Sequence, residues 1–396
     1  KPQQTNVMEN AFYRVTVDPS TGAVASIFDK QLNKEMVDAT SPYKFDQYLY
    51  VSGGGEGETQ IVYLQKSLPV AKLTINPSKN GRVVGVHKTA YGQVLTVESR
   101  DVHTPSIQTD IILFDNEKKI EFVNRFNKEA VNGKEAVYFA FPVAVNPPDF
   151  SYEIQNGWVD PSQNMLKGAG LEWFSVRHWV NVTNGDLSAA IVPVDAPLVT
   201  LGDINRGVWP ETFEPKTSTV FSYALNNYWH TNYRAEQGGD FTFRYVFTSG
   251  PQLSQAYMAR LGRESMTPLE TDKIVDQDKY DDPARALTPA PTSFLQVSVR
   301  DVVVENWKAA DDGHGSIVRL LETGGEPANF RVTLPLFTIQ HAWITSAVEE
   351  NQREIPASGS SVDVSIKPHE ILTLRIVAAM KPATAQPQAT TGAPTQ

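Results

Sequence analysis

Asp240-Phe241-Thr242-Phe243-Arg244-Tyr245-Val246-Phe247-Thr248 sets an aromatic residue at every second position. Successive side chains of an extended chain point to opposite faces, so Phe241, Phe243, Tyr245 and Phe247 line one face of a half-buried strand. The same signal recurs on both sides of this stretch. Upstream, 72–75, 82–86 and 94–98 alternate or nearly alternate, and 107–114 and 120–126 are joined by the turn-rich Asp115-Asn116-Glu117-Lys118, a predicted hairpin. Residues 137–145 form an apolar strand that stops at Pro147-Pro148, and 187–192 adds another. Near the start, Phe12, Val15 and Val17 lead through the turn Asp18-Pro19-Ser20-Thr21-Gly22 to Val24, Ile27 and Phe28. The glycine-rich stretch 52–58 fits no regular element.

Helix signals are few. The best covers 254–262, where Leu253, Tyr257 and Leu261 recur at spacing four and Gly262 stands at the expected end. One helix among about a dozen strands predicts an all-β, antiparallel sandwich architecture. Residues 266–293 are polar, acidic and proline-bearing, which predicts a linker between a large sandwich over 7–265 and a small one over 294–377. Short strands at 294–299, 316–322, 329–334, 341–345, 361–366 and 371–377 fit the small sandwich. Residues 378–396, rich in Ala, Thr, Pro and Gln without periodicity, read as a disordered tail.

Composition narrows the function classes. The 396 residues carry a formal net charge of -10 and no cluster of Lys and Arg, so nucleic acid and anionic membrane surfaces are poor partners. Neutral partners, including sugars, are untouched by this argument. The absence of cysteine rules out disulfides, thiolate zinc sites and iron–sulfur clusters, and leaves the compartment open. No apolar run approaches the roughly 18–20 residues of a membrane span. A chain that begins at Lys1 is expected to be a processed product or a piece from which an upstream region has been removed.

The histidines, at 87, 103, 178, 230, 314, 341 and 369, form no metal-binding spacing, and neither a phosphate loop nor a Gly-x-Ser-x-Gly motif is present. Asp203 and Glu211 lie among aromatics in a stretch whose plain reading is a surface loop. The strongest positive feature is 223–233, Tyr-Ala-Leu-Asn-Asn-Tyr-Trp-His-Thr-Asn-Tyr. Aromatic rings cover the apolar faces of sugars, and amides and imidazole bond their hydroxyls. The alternative is a connection packed on the sandwich, its asparagines bonding their own backbone. In 171–179 alternate spacing puts Trp173, Ser175, Arg177 and Trp179 on one face and Phe174, Val176 and His178 on the other; one face is expected in the core. Asn181-Val182-Thr183 is a formal glycosylation sequon.

Several segments together resemble the C-terminal part of glycoside hydrolase family 38, the α-mannosidases. They are Met8 to Val15 with Asp18 to Lys30, Asn226 to Tyr233 followed by Gln237-Gly238-Gly239, Val304 to Glu322, and Lys367 to Leu374. The likeness runs over residues 7–377. It implies a large supersandwich similar to those of galactose mutarotases, then a small antiparallel sandwich. It also implies a retaining mechanism whose zinc, nucleophile and acid/base belong to an N-terminal catalytic domain of the same polypeptide, missing here. No catalytic residue and no cofactor are expected in this chain, which should be inactive alone. Its part would be to help form the mannoside site. Arg206 resembles an arginine-bearing loop that reaches the sugar, and Asn227, Tyr228, Trp229 and His230 are the other expected contacts, Trp229 stacking and Asn227 and His230 hydrogen-bonding. Two alternatives remain: a stand-alone carbohydrate-binding or structural module, and a mutarotase-like enzyme acting alone, which needs a histidine facing a carboxylate in the large cleft.

Overall fold

The computed structural model describes residues 5–53, 72–204, 210–228, 234–272 and 292–381. Most of the glycine-rich stretch 52–58, most of the expected linker 266–293 and most of the expected tail 378–396 lie outside them. Two compact units divide the chain, one taking residues up to 253 with 261–267, the other 254–260 with 268 onward.

Among the described residues, the first unit has two large antiparallel sheets. The nine-stranded sheet runs, edge to edge, Gly157–Val159, Asp149–Ile154, Val180–Thr183, Ser188–Pro193, Gly239–Gly250, Ile120–Lys128, Thr104–Phe114, Gly92–Asp101, Lys79–Lys88. The six-stranded sheet runs Phe174–Ser175, Leu198–Leu201, Thr219–Asn226, Glu135–Pro142, Gln47–Gly53, Leu73–Pro77. A small sheet, Val7–Glu9, Tyr13–Val17, Val24–Asp29 and Lys34–Glu35, adds Tyr13, Val15 and Ile27 to the same core. The aromatic face predicted for 240–248 is inward, with Phe243, Tyr245 and Phe247 buried and Phe241 packed at the core margin, but the strand is half-buried only at first: Val246 and Thr248 on the other face are buried too. Phe243 and Tyr245 meet Phe139 from the other sheet, and Tyr245 also meets Phe141.

The strand Glu135–Pro142 is buried at all eight positions. Val137, Phe139 and Phe141 face the core between the large sheets, while Ala136, Tyr138 and Ala140 join a second cluster with Leu49, Val51, Phe221, Tyr223 and Tyr228. In that cluster the Tyr138 and Tyr223 rings stack at 4.5 Å, 2° from parallel.

The second unit is a sandwich of Val302–Ala309, Ser316–Glu322, Ile371–Met380, Phe337–Thr345 and Asn351–Ile355 against Gln296–Val297, Ala328–Thr333, Ser361–Ile366 and Ala357–Ser358. Val318, Leu320, Leu372 and Leu374 of one sheet and Val332, Val362 and Ile366 of the other fill its core. The last strand continues beyond 377 to Met380, because Phe337–Ile339 pairs with Ala378–Met380 and Ala378 packs on the core.

The helix spans Gln255–Met266, one turn past Gly262. Gly262 does not end it. A Cβ there would collide with the Cβ of His178, so the glycine serves close packing. The expected apolar stripe is kept only in part: Leu261 is buried, but Tyr257 is 42% exposed, and Ala256, Met258 and Ala259 are buried as well. No helix among the described residues is long and apolar enough to cross a membrane.

Candidate functional site

The inward face of Ile120–Lys128 carries Ile120, Phe122, Asn124, Phe126 and Lys128, all buried. Period 2 thus delivers a lysine ammonium to the sandwich interior, where an unpaired charge is untenable. Its partner is Glu135, the first residue of the doubly buried strand. Lys128 Nζ pairs with the Glu135 carboxylate and donates to the carbonyls of Glu129 (3.0 Å) and Gln237 (2.9 Å). The other Glu135 oxygen accepts the Tyr50 hydroxyl at 2.7 Å. Burial, followed by that bond to a carboxylate, drives the Tyr50 phenol well above its ordinary pKa.

Asn227 closes this cluster. Its backbone N–H donates to the Glu135 carbonyl at 2.9 Å, and its Nδ2 donates to the carbonyls of Val131 (3.2 Å), Gly133 (2.8 Å) and Ala235 (2.9 Å). One amide thereby ties three chain segments together. Gly238 completes the clasp, since a Cβ there would sit 2.6 Å from the Ala130 nitrogen. Tyr228, 4% exposed, turns into the cluster of Tyr138 and Tyr223, its N–H bonded to Asn226 Oδ1 at 2.9 Å.

Asp101 is also buried, one oxygen accepting the Val102 N–H at 2.7 Å and the other, Oδ2, without a hydrogen-bond partner. Desolvation lifts its pKa to about 6.

Of the expected sugar contacts, the structure therefore buries Asn227 beside the Lys128–Glu135 pair and Tyr228 in the neighbouring aromatic cluster. Arg206, Trp229 and His230 lie outside the described residues. Asp203 accepts from Lys216 at 2.7 Å and from the Ile204 N–H at 2.8 Å, as a surface loop would arrange it. In 171–179 both faces are used: Phe174 and Val176 enter the main core, Trp173 stacks on Tyr223, and Trp179 is 1% exposed. Only Phe174–Ser175 is strand there, so strict alternation does not extend to Trp179. Asn181 of the sequon is buried within Val180–Thr183, a position closed to a glycan in the folded chain.

Glu135 spends both oxygens internally, so it is not free to act as nucleophile or acid/base. Histidine–carboxylate pairs do occur: His178 Nδ1 with Glu153 at 2.8 Å and His103 Nδ1 with Glu129 at 3.0 Å. Each is in direct contact, and Glu153 also receives Arg263 at 3.3 Å, so no substrate fits between these partners. Nor do the residues suit zinc. The chain lacks cysteine, and no group of three His, Asp or Glu converges among the described residues. A zinc site needs at least three such ligands.

Two solved structures share this fold. An α-mannosidase from Enterococcus faecalis V583 superposes with a TM-score of 0.68 at 13% identity, over 95% of this chain and 42% of its own. A glycosyl hydrolase family 38 protein from Enterococcus faecalis gives 0.66 at 12%, over 95% and 44%. The chain thus spans less than half the length of either. No curated protein matches it. Family models do. The glycosyl hydrolases family 38 C-terminal domain matches residues 8–193, and the family 38 C-terminal beta sandwich domain matches 301–374. With both models matched in sequence order over more than half its length, the chain belongs to glycoside hydrolase family 38, whose C-terminal domains it carries.

Proposed function

We propose that this chain is the β-rich C-terminal portion of an α-mannosidase-like retaining glycosidase. In this reading it helps shape the mannoside site and supports a zinc-dependent catalytic domain elsewhere in the same polypeptide. The observation that carries the reading is the pair of family 38 C-terminal matches, 8–193 and 301–374. The fold likeness to 42% of an α-mannosidase supports it.

The buried cluster gives the chain's share a physical form. Asn227 and Tyr228 act as the anchor, the first fixed through Glu135 and the second through the Tyr138 and Tyr223 cluster. Arg206, Trp229 and His230 supply the sugar contacts, a guanidinium fork, a stacking face and a directional hydrogen bond.

Purified chain, supplied with zinc and an aryl α-mannoside, should show no turnover. A polypeptide that joins it to a family 38 catalytic domain should hydrolyse the substrate, and Trp229→Ala should lower that rate while leaving the chain folded. Robust turnover by the chain alone, from a verified sample, overturns the proposal.

A further inference from the structure

We propose that the second unit carries a separate binding site for a small anionic sugar, with Arg353 holding the anion. The strand Asn351–Ile355 pairs with Phe337–Thr345 so that Ile355 stands opposite Ala342 and Arg353 opposite Ile344. Ala342 and Ile355 are buried in the sandwich core. Side chains two apart on a strand share a face, so Arg353 projects on the core side of its sheet. Arg353 is nevertheless exposed, at the edge of the sheet, so its guanidinium is open to water and to any partner.

The protein supplies none. Among the described residues, the Arg353 side chain makes no hydrogen bond or ion pair. The carboxylate across the cleft, Asp363, is committed to Arg331 through two parallel bonds, Nε to Oδ1 at 2.8 Å and Nη2 to Oδ2 at 2.9 Å. Glu354, next in sequence, faces the opposite side and meets His341 at 3.1 Å.

Arg353 instead borders an open cleft of about 580 Å³. That lies within the roughly 300–1,000 Å³ of small-molecule sites. Phe330, Ile344, Ile355 and Val364 give it apolar walls. Asn329 adds an amide whose oxygen already accepts Ser365 Oγ at 2.6 Å, which leaves its N–H groups to donate. Unspent donors at the rim of a cleft with partly apolar walls suit an oxyanion attached to a body with apolar faces. A guanidinium matches phosphate and carboxylate through paired bonds. A hexose phosphate and a hexuronate both meet this description.

The test uses the whole chain with labelled isoleucine methyls. Glucose 6-phosphate, glucuronate, inorganic phosphate and glucose are titrated separately. The two anionic sugars should shift the Ile344 and Ile355 methyl signals, and Arg353→Gln should weaken both by about tenfold or more. Arg353 is exposed on an edge strand, so the variant should melt as the parent does. Unchanged affinity in Arg353→Gln, glucose or inorganic phosphate binding as tightly as glucose 6-phosphate, or no shift with either anionic sugar overturns the proposal.

Discussion

Lys128 and Glu135 form an ion pair inside the large sandwich, their side chains 1% and 2% exposed. Such a pair can contribute little net stability while intact, yet breaking it strands a charge away from water. Glu135→Gln should therefore destabilise the first unit by about 3–5 kcal/mol. Urea unfolding would measure this, and a loss within experimental error would show that water reaches Lys128.

Asn227→Ala removes the donor to three carbonyls in part-buried hydrogen bonds. We expect a loss of at least about 2 kcal/mol. An Asn227 that served only ligand contact would leave the unfolding midpoint where it is.

Asp101 gives the protein a pH signature of defined sign. Its folded pKa, about 6, lies above the ordinary value of 3.8. Below the unfolded value both states are protonated and the contribution is at its best. As pH rises towards 6 the unfolded chain ionises first, and stability falls until the folded carboxyl has ionised too. Asp101→Asn should flatten the stability profile between about pH 4 and 6, a window set by the two pKa values. A profile as steep in the variant as in the parent assigns the dependence to another group.

Gly262→Ala inverts an ordinary rule. In an exposed helix the change stabilises by up to about 1 kcal/mol. Here the methyl would collide with His178, so we expect a cost of about 1–3 kcal/mol and displacement of the His178–Glu153 contact. Calorimetry gives the first, and the histidine ring resonances report the second.

Sheet architecture was legible where strands are half-buried and alternate, as in Thr104–Phe114; strands buried on both faces, such as Gln47–Gly53 and Thr219–Asn226, carry no such period and were not expected. Two strands of the small sandwich escape that test. In Val302–Ala309 a register shift between Val304 and Asn306 breaks the period, and Asn351–Ile355 has four exposed polar residues in five. The helix boundary misled because glycine ends helices and also permits close packing, and only the position of His178 decides between them. At the site, the aromatic and amide-rich run drew attention to Asn227, but Lys128 and Glu135 went unread. Their signal was present in part. The inward row Ile120, Phe122, Asn124, Phe126 continues by the same period to Lys128. What one sequence does not reveal is that a carboxylate seven residues on meets that lysine indoors.

The strand order of the nine-stranded sheet also bears on how the protein is made. Gly239–Gly250 is the last of the nine in sequence, yet it lies in the interior between Ser188–Pro193 and Ile120–Lys128. On the ribosome, the meander 79–128 and the group 149–193 can each pair internally, but neither can join the other until residue 250 has emerged. Until then each presents an open strand edge, the kind of surface that recruits other chains. A nascent chain arrested before residue 239 should therefore bind holdase chaperones and self-associate, and one released beyond 250 should not.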